Sequence, residues 1–232
     1  MPQKNTTKIY VENGYYHAYN RGVEKRKIFL DKQDYTVFLY YLKSYLSPPK
    51  KPPTFMTGLD PVRIRPIKTV FNQIDLLAYC LMPNHFHLLL RQKTRDGMTK
   101  LLRRLCTCYS MYFNKKYHRI GGLFQGVYKA ILVDNEHYLL HLSRYLHLNP
   151  VFDRVRPCQE YKACKQPGDY PFSSYLDYLG KKKTDWLKTD FILSFFKTAQ
   201  KTSFKDILSY QSFVEDYLVD STEVLGGLVL EK

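Results

Sequence analysis

The sequence predicts an α+β fold in which an antiparallel β-sheet is flanked by α-helices. Segments with the aromatic and β-branched composition of strands alternate along the chain with segments whose apolar residues recur at helical spacing. A nearly continuous apolar run at 74–82 is followed by Pro83-Asn84 and a second apolar run at 85–91, which predicts two neighbouring antiparallel strands. With 232 residues, the chain can bury a large core without disulfides or metals.

The N-terminal part contains one predicted strand, one helix and one long loop. Residues 10–23 are aromatic and β-branched, which predicts a strand. Asp31 is placed to cap a helix that ends near Leu46, because apolar residues follow it at helical spacing. Residues 47–66 contain six prolines and two pairs of basic residues, which predicts an exposed basic loop.

The remaining elements follow from periodicity and from glycine and proline positions. We predict helices at 98–117 and from Asp134 or Asn135 through Leu148, a strand at 123–133, and helical segments around 190–196 and 204–217. The sequence is therefore divided into one domain at 8–180, which includes the loop at 47–66, and a helical C-terminal extension at 181–232.

The charge of the chain predicts an anionic partner. There are 36 Lys and Arg residues against 21 Asp and Glu residues, which gives a net charge of +15. Nucleic acid is the first candidate, and an anionic membrane is disfavoured because no basic amphipathic helix with a clean apolar face is present. No apolar run approaches the ~20 residues that span a bilayer, and five cysteines match no zinc or disulfide pattern. We expect a cytoplasmic protein.

Two histidines on the second predicted strand of the apolar pair are candidate metal ligands. His85 and His87 are two residues apart, so their rings leave the same face of the strand while Phe86 enters the opposite face. Two imidazoles alone hold a divalent ion poorly, so a third ligand is needed. The alternative is that the histidines only satisfy local hydrogen bonds.

The helix after Asp134 offers that third ligand. Tyr145 and Asn149 are one turn apart on the arc of the helix predicted to pack on the sheet, whereas His137, His141, Arg144 and His147 lie outside this arc. A metal held by the two histidines could take the Asn149 carbonyl oxygen and have the Tyr145 phenol nearby. Alternatively, Asn149 is a C-cap and Tyr145 a core aromatic residue.

The sequence resembles the single-tyrosine HUH transposases of insertion sequences and, within them, the REP-associated tyrosine transposases. The His-hydrophobic-His motif after Met-Pro-Asn, joined to a later Tyr-x-x-x-Asn-Pro, is highly specific to this family. The segments that carry the resemblance occur in the family's order and are Tyr16–Tyr35, Leu81–Leu90, Gly121–Asp134, Tyr145–Val151 and Tyr170–Tyr175. One departure is Val127, where many relatives have Arg.

The resemblance implies a fold, a reaction and a set of site residues. It implies the ferredoxin-like HUH endonuclease fold, and members cut and rejoin single-stranded or hairpin DNA through a 5′-phosphotyrosine. Tyr145 matches the nucleophile, His85 and His87 match the pair that binds the catalytic Mg²⁺ or Mn²⁺, and Asn149 matches a third ligand from the helix. The expected protein is a nucleoid-associated monomer or homodimer.

Polar and basic side chains outside this set are predicted to contact DNA. They are Asn20, Arg21, Lys25, Arg26, Lys100, Arg103, Arg104, Gln125 and Lys129.

Two alternative functions compete with a transposase-type strand transferase. The first is a domesticated protein that binds structured DNA or RNA without cleaving it. The second is a zinc hydrolase, which is disfavoured because the sequence has no His-Glu-x-x-His motif and no set of Cys ligands near the histidines.

Overall fold

The computed structural model of the chain describes residues 9–49, 68–152, 163–199 and 209–216. The four strands are β1 (Tyr15–Arg21), β2 (Ile74–Met82), β3 (His85–Gln92) and β4 (Lys129–Val133). The six helices are α1 (Lys32–Leu46), α2 (Gly97–Lys116), α3 (Glu136–Phe152), α4 (Tyr175–Tyr178), α5 (Asp190–Ala199) and α6 (Tyr210–Glu215). Most of the predicted basic loop, from residue 50 onward, lies outside the described residues.

The strands form one antiparallel sheet in the order β2-β3-β1-β4. The order along the chain, β1-α1-β2-β3-α2-β4, is that of the ferredoxin-like fold. The predicted α+β class is confirmed, and so is the antiparallel pairing of the two apolar runs. Because β3 lies between β2 and β1, its backbone is hydrogen-bonded along both edges.

The two faces of the sheet are covered by different helices. Helices α1 and α2 pack on the face into which Phe86 points, where the Phe38 ring lies 5.1 Å from the Phe86 ring and 5.1 Å from the Tyr109 ring. Helix α1 begins where predicted, because the Asp31 carboxylate accepts a hydrogen bond from the Asp34 backbone N–H at 3.0 Å. Helix α3 packs on the opposite face.

Three predicted boundaries are wrong. Strand β1 begins at Tyr15 and not at residue 10. Strand β4 begins at Lys129 and not at residue 123, because the preceding residues form a loop that bridges Gly22 through Phe124. Helix α3 continues to Phe152 and does not end at Leu148, so Pro150 lies inside it and Asn149 is not a C-cap. The missing N–H of Pro150 removes one helical hydrogen bond, but the helix continues because residues 142–150 are buried.

The described residues of 163–199 and 209–216 cover the outer edge of β2 and pack against both β1 and α3. The backbone N–H of Leu81 donates to the Phe172 carbonyl at 3.0 Å. In α5, the Phe191 ring stacks on Tyr15 at 5.1 Å. Within the described ranges, none of the helices has the length and apolar character needed to cross a bilayer.

Candidate active site

The two histidines of β3 lie side by side on the face covered by α3. Their ring centroids are 4.7 Å apart and the rings are nearly perpendicular. His85 is 3% exposed and His87 is fully buried. Their placement follows from the two-residue spacing on a central strand, which holds both side chains against the same layer.

Each imidazole is oriented by a hydrogen bond to its Nδ1 atom. His85 Nδ1 lies 2.6 Å from Asn84 Oδ1, and His87 Nδ1 lies 2.8 Å from Nε2 of His17, a fully buried residue on β1. When Nδ1 carries the proton, Nε2 carries a lone pair. Both Nε2 atoms are buried and have no hydrogen-bond partner among the described residues.

Burial keeps both imidazoles neutral. It lowers the pKa of His85 to about 3, with further lowering by the charges of Arg21 and His17. The pKa of His87 is well below its ordinary value because of burial and then because of His85, His17 and Arg21. A neutral imidazole is the form that binds a metal ion.

Helix α3 brings Tyr145 to the histidines within one chain. The Tyr145 ring meets the His87 ring edge-on with the centroids 5.8 Å apart, and Tyr145 is 1% exposed. Asn149 follows one helical turn later and is 2% exposed, with its Oδ1 atom buried. The structure thus places Tyr145 beside His87, and the helical repeat places Asn149 on the same side of α3.

The donor set fits a divalent ion. Two imidazole Nε2 atoms with available lone pairs face a layer that also contains a buried amide oxygen. Among the described residues, no group of three or more His, Cys, Asp or Glu side chains is arranged to hold a metal. Among the described residues, a third protein ligand would therefore be of another type, and the amide of Asn149 is a side chain of suitable chemistry.

Part of α3 outside the arc predicted to pack on the sheet is buried by residues near the C-terminus. His147 Nδ1 lies 2.7 Å from the Tyr210 hydroxyl, and this hydroxyl donates to Ser143 Oγ at 3.1 Å. The Arg144 guanidinium lies over the Phe213 ring at 4.6 Å. Tyr138 lies seven residues before Tyr145, and therefore on the same predicted arc, but it is 39% exposed. A helix that is covered on two sides shows no single apolar stripe, so the spacing of its apolar residues does not indicate which side packs on the sheet.

The ring nitrogens of His141 contact His137 and Arg144. Its Nε2 atom lies 3.0 Å from His137 Nε2, and its Nδ1 atom lies 2.6 Å from the Arg144 guanidinium. Burial, followed by the charges of Arg144 and His137, lowers its pKa to about 4. These contacts give no support to His141 as the base for the Tyr145 phenol.

Some of the residues predicted to contact DNA lie near the histidines. Arg21 and Lys129 are on the same sheet face, since Arg21 pairs with His85 and Lys129 pairs with Tyr19, the neighbour of His87. Lys25 and Gln125 are exposed and lie near the C-terminal end of β1, where Arg21 is the last residue.

The others lie farther away or are engaged in internal contacts. The α2 residues Lys100, Arg103 and Arg104 belong to the layer on the opposite face of the sheet. Arg26 pairs with Glu24 at 3.2 Å. Asn20 is 4% exposed and its amide donates to the Gly126 carbonyl at 3.2 Å, so contact with DNA would require this loop to move. The DNA contacts of all nine residues stay predictions.

Sequence reasoning missed His17, the partner of His87. The two residues are 70 positions apart and meet only through the β1–β3 register. The position of His17 on the predicted first strand, two residues before Tyr19, was the feature that could have pointed to it. The pairing of strands that are distant in sequence, however, cannot be derived from a single sequence.

Comparison with known proteins bears on the family and the fold of the segment that carries these residues. Residues 65–149 match the family model described as IS200-like transposase, and this range contains His85, His87, Tyr145 and Asn149. The fold is similar to that of a REP-associated tyrosine transposase solved in complex with a REP hairpin, with a TM-score of 0.51 and 14% identity. The alignment covers 80% of this chain and 94% of that chain. No protein of curated function matches the sequence. The predicted resemblance to this family is confirmed over residues 65–149.

Proposed function

We propose that the protein is a DNA strand transferase that cleaves and rejoins single-stranded or hairpin DNA through Tyr145. The observation that carries this proposal is the edge-on contact between Tyr145 and His87 in one buried layer of a single chain. The net charge of +15 supports an anionic polymer as the substrate. The relative of similar fold was solved with a REP hairpin, which favours hairpin DNA as the first substrate to test.

The reaction is a transesterification. The phenol oxygen of Tyr145 attacks the phosphorus of a phosphodiester, the bond to the 3′ oxygen breaks, and the phenolic proton is lost as the 3′ oxygen gains one. The products are a 5′-phosphotyrosine and a free 3′-hydroxyl. Attack by a 3′-hydroxyl on the phosphotyrosine reverses the step, so rejoining needs no ATP.

His85, His87 and Asn149 are the residues that would hold a divalent ion, Mg²⁺ or Mn²⁺. When bound, the ion would supply charge stabilisation at the phosphate oxygens. The protein's own contribution is to keep both imidazoles neutral and oriented, through burial and through the hydrogen bonds that they donate to Asn84 and His17. Two nitrogen ligands suit Mn²⁺ better than Mg²⁺, which prefers oxygen ligands.

The proposal is tested with a labelled hairpin oligonucleotide that has single-stranded flanks. We expect a covalent protein–DNA adduct in Mn²⁺, visible after denaturing electrophoresis, and its loss in Tyr145→Phe. Tyr138→Phe is the matched control, because Tyr138 is a half-exposed tyrosine on the same helix. An adduct of unchanged yield in Tyr145→Phe would refute the assignment. Salt-sensitive binding of the hairpin without an adduct in Mn²⁺ or Mg²⁺ would favour the DNA-binding alternative.

A further inference from the structure

Arg21 has an unusual position beside the two histidines. It is the last residue of β1 and the register partner of His85, so its side chain leaves the sheet on the same face. Its Nε atom is buried and has no hydrogen-bond acceptor among the described residues. It also forms no ion pair with a carboxylate in the part of the chain that the structure describes.

The charges around the histidines are unbalanced. The two imidazoles and the Asn149 amide are neutral, and Arg21 is the one permanent charge among the groups that lower the pKa values of His85 and His87. No carboxylate is among those groups. A divalent ion in this layer would add positive charge beside a guanidinium, and repulsion between like charges is strong where water is excluded. Because the described residues place no carboxylate among these groups, a negatively charged ligand from outside the protein would balance the charge.

We propose that Arg21 binds the phosphodiester on which Tyr145 acts and thereby couples DNA binding to metal binding. This inference rests on the proposed function. A guanidinium presents a planar fork of N–H donors that matches the oxygens of a phosphate. The phosphate would offset the charge of both Arg21 and the ion, so metal and DNA bind cooperatively and each tightens the other by the same factor.

Arg91 lies on the same face of the sheet as Arg21 but differs from it in position and in contacts. Arg91 lies on β3 at a position of the same parity as His85 and His87, and its Nε atom is also buried. Its guanidinium, however, donates to Asn13 Oδ1 at 3.2 Å and lies 5.9 Å from the centre of the Tyr15 ring. Arg91 is therefore a matched control, distant from the histidines and already engaged.

The test measures Mn²⁺ affinity by electron paramagnetic resonance in the Tyr145→Phe background, which cannot form the adduct. The tetranucleotide d(TTTT) at millimolar concentration supplies the phosphodiester, and Mn²⁺ bound by the oligonucleotide alone is subtracted. We expect d(TTTT) to tighten Mn²⁺ binding about ten-fold or more. Arg21→Gln should remove most of this tightening, Arg21→Lys should retain part of it, and Arg91→Gln should leave it unchanged.

Two outcomes would overturn the inference. One is equal tightening in Arg21→Gln and Arg91→Gln, provided that both melt within a few degrees of the parent protein. The other is the absence of tightening in the parent protein. The proposed function fails separately, since it depends on the adduct with Tyr145. If d(TTTT) tightens Mn²⁺ binding through Arg21 but no adduct forms, the phosphate site is supported and the nuclease activity is refuted. If the adduct forms but d(TTTT) does not tighten Mn²⁺ binding, the nuclease activity is supported and the phosphate site is refuted.

Discussion

The candidate site has two halves that the fold holds by different means. The strand half consists of His85 and His87 with His17, and its backbone belongs to β3 and β1 at the centre of the sheet. The helix half consists of Tyr145 and Asn149 on α3, which lies on the sheet through side-chain contacts. On its outer side, α3 is held by the Tyr210 hydroxyl and the Phe213 ring.

This difference separates metal binding from the placement of the nucleophile. Backbone hydrogen bonds on both edges of β3 keep the histidines in one geometry, with each ring further fixed at Nδ1. Tyr145 is 1% exposed and packs on His87, so a DNA phosphate reaches the histidines only if α3 or the tyrosine side chain moves. Side-chain contacts can change without breaking a sheet, and the helix half is therefore the part that can shift. We expect substitutions in the strand half to change metal affinity and those in the helix half to change reaction rate.

The largest effect is expected for His87→Ala. This change removes one of the two proposed imidazole ligands and also removes the hydrogen bond between His87 and His17. We expect Mn²⁺ affinity to fall by more than about 100-fold, beyond the range typical for residues that only orient a ligand. Isothermal titration with Mn²⁺ measures this change.

Tyr145→Phe is the helix-half control for that experiment. Because it removes only the hydroxyl of a residue that packs on His87, Mn²⁺ affinity should stay within about two-fold of the parent protein. Equal affinities of His87→Ala and the parent protein would break the comparison, since the histidines would then not be ligands.

The sequence predicted the strand half more accurately than the helix half. The bounds of β2 and β3 agree with the predicted runs to within one residue, because a buried strand in a short turn-linked pair has a clear local pattern. The position of His87 on a buried central strand follows from this pattern. Its hydrogen bond to His17 does not, because strand order depends on contacts between distant parts of the chain.

The helix half was harder to predict because a second layer covers α3. Arg144 and His147 are polar residues that a simple amphipathic pattern places in solvent, yet both are buried by α6. The end of α3 differs from the predicted end at Leu148 for a related reason. Proline normally marks a boundary, but packing around Pro150 outweighs the loss of one hydrogen bond.

A smaller effect is expected for His17, which contacts the proposed metal ligand His87 but is not itself proposed to bind the ion. His17→Leu removes the hydrogen-bond partner of His87 Nδ1 and should weaken Mn²⁺ binding by roughly 10- to 100-fold. His17→Gln should recover part of the loss, because its amide oxygen can accept the hydrogen bond from Nδ1. If both variants bind Mn²⁺ equally and as tightly as the parent protein, orientation by His17 contributes nothing to the strand half.

The helix half is tested by Tyr210→Phe. The lost hydroxyl leaves Ser143 and His147, two buried polar residues of α3, without a shared partner, which should cost about 1–3 kcal/mol of unfolding free energy. A less firmly held α3 should slow adduct formation by about ten-fold, since small displacements of a reacting group lower the rate strongly. Mn²⁺ affinity should not change. A loss of Mn²⁺ affinity equal to that of His17→Leu would show that the two halves are not separable.

The smallest effect on the site is expected for Asp31→Ala, a change in the layer behind the sheet. Asp31 caps α1 and binds Lys116 Nζ at 2.7 Å, so we expect a loss of roughly 0.5–2 kcal/mol in unfolding free energy. Neither Mn²⁺ affinity nor the rate of adduct formation should change, because α1 packs on the face opposite to α3.

The pH dependence of the Asp31→Ala effect separates the charge from the rest of the cap. Burial opposes ionisation of Asp31, but hydrogen bonds from Lys116 and from the Asp34 backbone outweigh it and hold its pKa below the ordinary value of 3.8. A carboxyl whose pKa is lower in the folded state stabilises the protein at pH values above its unfolded pKa. This contribution is lost as the pH falls through the folded value. The difference in unfolding free energy between the parent protein and Asp31→Ala should therefore be constant near neutral pH and shrink below about pH 4. Urea denaturation at several pH values measures it, and a difference that grows on acidification would contradict the sign of this linkage.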